Sequence, residues 1–139
     1  MKIVVDTNVI VSGFLNPYGA PGALVGLAAC GDLILCYDAR ILSEYREVLL
    51  RPKFGMDAKA VDDFLAQVAA DGEATFGVPL SSRLPDRSDE PFLESALSGR
   101  AEYLVTGNLK HFPPRLCLGV KAISPVAFLN IFRKTHRRF

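Results

Sequence analysis

The chain lacks any apolar stretch able to cross a bilayer. Its longest such run, Val9–Leu15, is broken by Ser12 and Gly13, where a spanning helix needs about 20 residues. A secretory leader is not expected either. Lys2 would serve as its charged start, but Asp6 and Asn8 interrupt the apolar run that should follow. A cytoplasmic location with no membrane partner is the expectation. Paired cysteines are also missing. Cys30, Cys36 and Cys117 are odd in number, far apart and without metal-ligand spacing, which argues against a disulfide framework and a zinc site. Cys36 ends the run Leu33-Ile34-Leu35 and reads as a small buried hydrophobe. No Gly-rich phosphate loop or Gly-Lys-Ser/Thr motif occurs, which disfavours a nucleotide-driven enzyme. The net charge is only +1, so charge alone names no partner.

What the chain does have is material for one core. Half of its 139 residues are hydrophobic, with no low-complexity tract, internal repeat or linker, so a single domain over residues 1–139 is expected. Arg133, Lys134, Arg137 and Arg138 crowd around His136 in a basic tail at about 133–139, read as solvated rather than phosphate-gripping. Strand-like runs occur at Ile3-Val4-Val5, Leu33–Cys36, Tyr103–Val105 and Lys121–Ile123. Helical periodicity occupies segments near 20–30, 38–50, 57–70, 91–99 and 125–133. The irregular stretch from Gly72 to Ser88 has room for an edge strand near 75–78. This alternation predicts an α/β/α sandwich around a mostly parallel sheet.

Ligands of such sheets sit outside the carboxyl ends of the strands, so the residues just after each strand matter. Asp6-Thr7-Asn8 follow the first strand, and Thr106-Gly107-Asn108 follow the one near 104. Asp6 has two readings, a turn starter or a carboxylate held for chemistry. Glu44 lies about 40° from Val48 around its helix, at the border of the apolar stripe, and fits a surface ion pair or a cleft. Asp89 precedes Pro91 and fits an N-cap, an inward ligand or both, whereas Glu90 and Glu94 are expected on the other side. Taken together, Asp6, Glu44 and Asp89 come from three elements that can meet at one sheet edge. Gathering carboxylates is costly unless a cation neutralises them. Oxygen ligands favour Mg2+ or Mn2+, ions suited to phosphodiester hydrolysis.

The stretches VVDTNVIVSG, ILSEYREVL, DEPFLESAL and VTGNLKHF, in this order and spacing, resemble PIN-domain proteins of the VapC-like and PilT N-terminus toxin groups. The resemblance covers nearly the whole chain. It implies a metal-dependent ribonuclease in which Asp6, Glu44 and Asp89 are the first, second and third acidic ligands, and in which Asn8 and Thr106 support the cleft. Asn108 stands at the fourth acidic position, where many members carry Asp, and is expected to orient the attacking water. Because Asn is a poorer Mg2+ ligand, this departure bears on a second metal, and Asp86 is close enough in sequence to substitute. His111 is expected to pack beside Phe112 as a structural residue rather than to contact RNA. The resemblance further implies an RNA substrate, a small antitoxin partner and a homodimer.

Two rivals remain at this stage. A haloacid-dehalogenase-type phosphotransferase would carry a second acid at position 8, where this chain has Asn8, and would usually be longer. A non-catalytic RNA- or protein-binding module of the same fold is kept in play by Asn108.

Overall fold

The computed structural model describes residues 1–136. Its centre is β1 (Lys2–Val5), whose Ile3, Val4 and Val5 are completely buried. Such a run, apolar on both faces, belongs in the middle of a parallel sheet covered on both sides. Five strands form it: β1, β2 (Ile34–Tyr37), β3 (Glu73–Ala74), β4 (Tyr103–Val105) and β5 (Lys121–Ile123), in the order β3-β2-β1-β4-β5. All pairings are parallel, with Ile3 opposite Leu35 on one side and opposite Tyr103 on the other.

The helices are α1 (Thr7–Leu15), α2 (Ala20–Ala29), α3 (Ala39–Leu49), α4 (Ala58–Asp71), α5 (Glu90–Ser98) and α6 (Pro125–Thr135). From β1 the chain steps outward to β2 and β3, then returns past β1 to β4. Right-handed crossovers place helices of outward and returning connections on opposite faces. Accordingly α1, α2, α4 and α6 pack among themselves, while α5 packs on β1, β2 and β4. The reversal puts the topological switch point between β1 and β4, where parallel sheets open a crevice.

Three features depart from the sequence expectations. Helix α1 was not expected, because Val9, Ile10 and Val11 form a consecutive β-branched run, and the exposed stripe opposite it is only Asn8, Ser12 and Leu15. Packing against α2 makes it a helix. A Cβ at Gly13 would lie 2.5 Å from the Val25 side chain, so Gly13 admits close approach of α2, and one at Gly22 would overlap the Pro17 carbonyl, so Gly22 admits the tight turn that joins the two helices. The edge strand sits at Glu73–Ala74 rather than near 75–78. Thr75 still donates its N–H to the Tyr37 carbonyl at 2.7 Å, but β2 then turns into α3 and offers no further partner. The described part of the basic tail is helical: Arg133 and Lys134 are exposed in the last turn of α6, where cations complement the helix dipole. The rest of that expectation, at 137–139, lies outside the described residues. No helix among the described residues is long and apolar enough to cross a membrane.

The acid-bearing helix α3 starts at Asp38, whose side chain accepts from the Ile41 N–H at 3.0 Å. Its Ile41, Tyr45 and Leu49 face the core. Asp62 and Asp63 of α4 are exposed beside Arg46 and Lys59.

The α1–α2 contact yields a contrast that urea denaturation can check. Gly22→Ala should lower unfolding free energy by about 1–3 kcal/mol through overpacking. Gly26→Ala, where a Cβ meets nothing within 4 Å, should raise it by about 0.5–1 kcal/mol through helix propensity.

Candidate active site

The switch point is closed by hydrogen bonds between two strand ends. Asp6 follows β1 and donates its N–H to the Val105 carbonyl at 2.9 Å. The Thr106 hydroxyl donates to Asp6 Oδ2 at 2.8 Å, and the Asn108 N–H donates to Thr106 Oγ1 at 3.0 Å. Asn8 Oδ1 accepts from the Gly107 N–H at 3.4 Å. The DTN and TGN sequences thus interlock across the crevice. With its side-chain oxygen accepting from a backbone N–H, Asn8 acts as a tie between the two strand ends.

From Thr7, the first residue of α1, the hydroxyl donates to Glu44 Oε2 and links α3 to the same edge. Next to Glu44, the buried Tyr45 donates its hydroxyl to the carbonyl of Val5, the residue before Asp6. Its ring lies 6.4 Å from that of Phe92 on α5. Tyr45 therefore braces β1, α3 and α5, the three elements bearing Asp6, Glu44 and Asp89. Burial drives its phenol well above the ordinary range, with Asp6 and Glu44 adding to the effect, so it stays a neutral donor.

Asp89 is buried, one residue before α5. It does not cap that helix with its side chain, so of its two readings only the inward placement is seen. Asp86 supplies the local cap instead, accepting from the Ser88 N–H at 2.9 Å and from Ser88 Oγ at 2.7 Å. Opposite Asp89 stands His111, with Nδ1 at 2.8 Å from Asp89 Oδ2. Apart from this contact, Asp89 Oδ2 is buried without a hydrogen-bond partner. The Asn108 amide nitrogen lies 2.8 Å from His111 Nε2 and donates to it, which places the ring proton of a neutral His111 on Nδ1, facing Asp89. His111 thus belongs to this crevice, contrary to the purely structural packing expected of it. Its neighbour Phe112 is buried, which masked the half-buried imidazole in the sequence. Asp86, Asp89 and His111 bring one ligand atom each within 4.8 Å of one another.

Electrostatics separates this group from the other buried acids. Asp38 and Glu94 share the Arg40 guanidinium at 2.6 and 2.9 Å, and Glu90 pairs with Arg83 at 2.8 Å. Glu90 and Glu94 are buried and ion-paired, which corrects their expected outward placement; the long loop before α5 folds back and buries them. Asp6 and Asp89 have no Lys or Arg partner among the described residues. Burial raises the Asp6 carboxyl above its ordinary value, against the lowering effect of Thr106. Asp89 is pushed up to about 6, by burial first and by the Asp6 charge second. Two carboxylates destabilised by desolvation and mutual repulsion, one with a buried oxygen that has only His111 beside it, fit a divalent cation, which would relieve both costs. The donors are carboxylate oxygens with one imidazole nearby, a set suited to Mg2+ or Mn2+.

A sequence model of the PIN domain family matches residues 2–110, and the chain belongs to that family. No curated protein and no solved structure matches it. The matched span contains Asp6, Asn8, Glu44, Asp86, Asp89, Thr106 and Asn108 and stops one residue before His111. PIN domains are nuclease folds, so the coarse class is a hydrolase of nucleic acids.

The raised Asp89 has a signed consequence in metal-free protein. A carboxyl whose folded pKa exceeds its unfolded value stabilises the fold when protonated, and that contribution is lost as pH rises from about 4 to about 6. In EDTA, the stability of wild type relative to Asp89→Asn should fall across this window and level off above it. Urea titrations at half-unit pH steps measure the difference; a flat difference would remove the buried charge from the account.

Proposed function

We propose that this protein is a divalent-metal-dependent ribonuclease. The observation that carries the reading is that Asp6 and Asp89 are the buried acids at the switch point with no Arg or Lys to neutralise them, while their buried neighbours Asp38, Glu90 and Glu94 all have one. Asp6, Asp89 and Glu44 would hold Mg2+ or Mn2+, with Asp86 at the exposed rim. When bound, the ion supplies Lewis-acid activation of water and neutralises charge at the phosphate.

The chain's own residues do the rest. Thr106 and the Asn108 N–H fix the rotamer of Asp6 through a short relay of hydrogen bonds. His111 faces Asp89, and Asn108 holds the imidazole in place. Thr7 holds the Glu44 carboxylate through its hydroxyl. Asn108, standing at the family's fourth acidic position, orients the water for in-line attack and keeps His111 pointed at Asp89. In the cell the reading extends to the cytoplasmic toxin of a toxin–antitoxin pair that dimerises and is neutralised by a small antitoxin. The support for that extension is the resemblance of the four motifs to VapC-like proteins.

The test is cleavage of a mixed single-stranded RNA pool with Mn2+ or Mg2+, beside EDTA. Asp6→Asn and Asp89→Asn should each abolish cutting, whereas Thr106→Val, which leaves the ligand but frees its rotamer, should cost about 10–100-fold in rate. Cleavage surviving in Asp6→Asn would refute the site. RNA bound but never cut by wild type would leave a binding module instead. For the toxin role, induced expression should arrest bacterial growth and Asp6→Asn should not; colony counts on inducing plates read the difference.

A further inference from the structure

The acids of the crevice are flanked by a surface of opposite sign. All 15 Asp and Glu residues precede Tyr103, whereas 7 of the 16 Lys and Arg residues follow it. The segment from β4 onward therefore builds one side of the sheet with cations alone. Strand β5 is the sheet edge on that side. Along it runs a groove of about 530 Å3, lined by Phe112, Val120, Ala122 and Ile123 and beginning at Leu109, the residue after Asn108. Its lining is mostly apolar and holds no carboxylate. Lys121 also lines it, and Lys110 and Arg115 neighbour its lining residues in sequence. These three cations are exposed and pair with no acid among the described residues. Nearly all of the groove lies beyond residues 2–110, the span shared with the family.

An apolar trough with Lys121 in its lining, exposed Lys110 and Arg115 next to its lining residues in the chain, and its first lining residue following Asn108 matches the chemistry of one nucleotide in a single strand. The base or ribose has apolar faces and the backbone carries the charge. We infer that this groove seats the nucleotide next to the scissile phosphate in a single-stranded RNA, with the base against the apolar floor and the flanking phosphates against Lys110, Arg115 and Lys121. The inference rests on the ribonuclease reading and adds to it the path of the substrate. An extended peptide adding to β5 is the other occupant of such an edge. The unpaired cations and the lack of any acid in the lining favour the polyanion.

The experiment measures binding of a short fluorescent single-stranded RNA by anisotropy in EDTA, where no cleavage occurs, at several salt concentrations. The double variant Arg115→Ala, Lys121→Ala should bind about tenfold more weakly at low salt. Its plot of log K against log salt should be flatter by about 1.4, the loss of two single-strand phosphate contacts. Ala122→Phe, which fills the groove, should weaken binding without changing that slope. Both variants should hydrolyse the small diester bis(p-nitrophenyl) phosphate with Mn2+ as fast as wild type, since it does not reach the groove. Unchanged RNA affinity and slope in the double variant overturn the proposal, even if Ala122→Phe fails to fold. RNA binding indifferent to Ala122→Phe, with loss of an extended Val/Leu-rich peptide instead, also overturns it in favour of a protein dock. RNA binding that depends on these residues without any metal-dependent hydrolysis would refute the nuclease reading alone and leave the groove assigned.

Discussion

The hydrogen bond from Thr106 to Asp6 joins side chains 100 residues apart and fastens the ends of the two central strands. The crevice depends on it. Asp6 is pushed toward protonation by burial, and Thr106 is the strongest influence in the opposite direction. Without that donor the carboxylate would be desolvated with little return, and its rotamer would be free. The same hydroxyl accepts from Asn108, so the strand-end loop is ordered by the acid it supports. A residue that both donates to a carboxylate and accepts from a backbone N–H has its hydroxyl proton fixed in direction. An alanine or valine at position 106 could not reproduce this.

Around that link, buried charge is sorted by neutralisation. Arg40 sits between Asp38 at the end of β2 and Glu94 on α5, and Arg83 of the preceding loop covers Glu90. These pairs satisfy charges that burial would otherwise penalise. Gly77 belongs to this arrangement, since a Cβ there would meet the Arg40 guanidinium and the Glu94 carboxylate. Asp6 and Asp89 are left without such cover, and Tyr45 presents to Asp6's neighbour a donor too high in pKa to add a third charge. The fold invests its arginines elsewhere and keeps one crevice acidic.

Much of the fold was legible in the sequence because most elements are locally self-consistent. Ile3-Val4-Val5 and Tyr103-Leu104-Val105 are short, apolar and flanked by polar residues, and α3 and α4 carry clean apolar stripes with acidic caps. Helix α1 was not legible, since its run Val9-Ile10-Val11 is β-branched and its packing on α2, close enough at Gly13 to meet Val25, is a tertiary contact. The placement of Asp6, Thr106 and Asn108 at strand ends could be read from strand order alone. Which buried acids lack a cation could not, because Arg40 and Arg83 reach Glu94 and Glu90 across 54 and 7 residues. His111 was hidden for the same reason. Its partner Asp89 lies on the other side of β4 in sequence, and Phe112 beside it suggested packing.

Asn108 shows how a departure from a family pattern can be compensated within the site. An aspartate there would add a further charge to a crevice already holding Asp6 and Asp89, and it could not donate to His111. The asparagine amide nitrogen does donate, at 2.8 Å, and so holds the imidazole with its other nitrogen toward Asp89. Asn108 in place of an acid therefore removes one source of repulsion and orders the imidazole beside Asp89. The two positions act as a unit: Asn108 without His111 would leave its amide idle, and His111 without Asn108 would lose the contact that fixes its tautomer. Substitution at either position should for this reason disturb Asp89 first, although neither residue is itself a carboxylate.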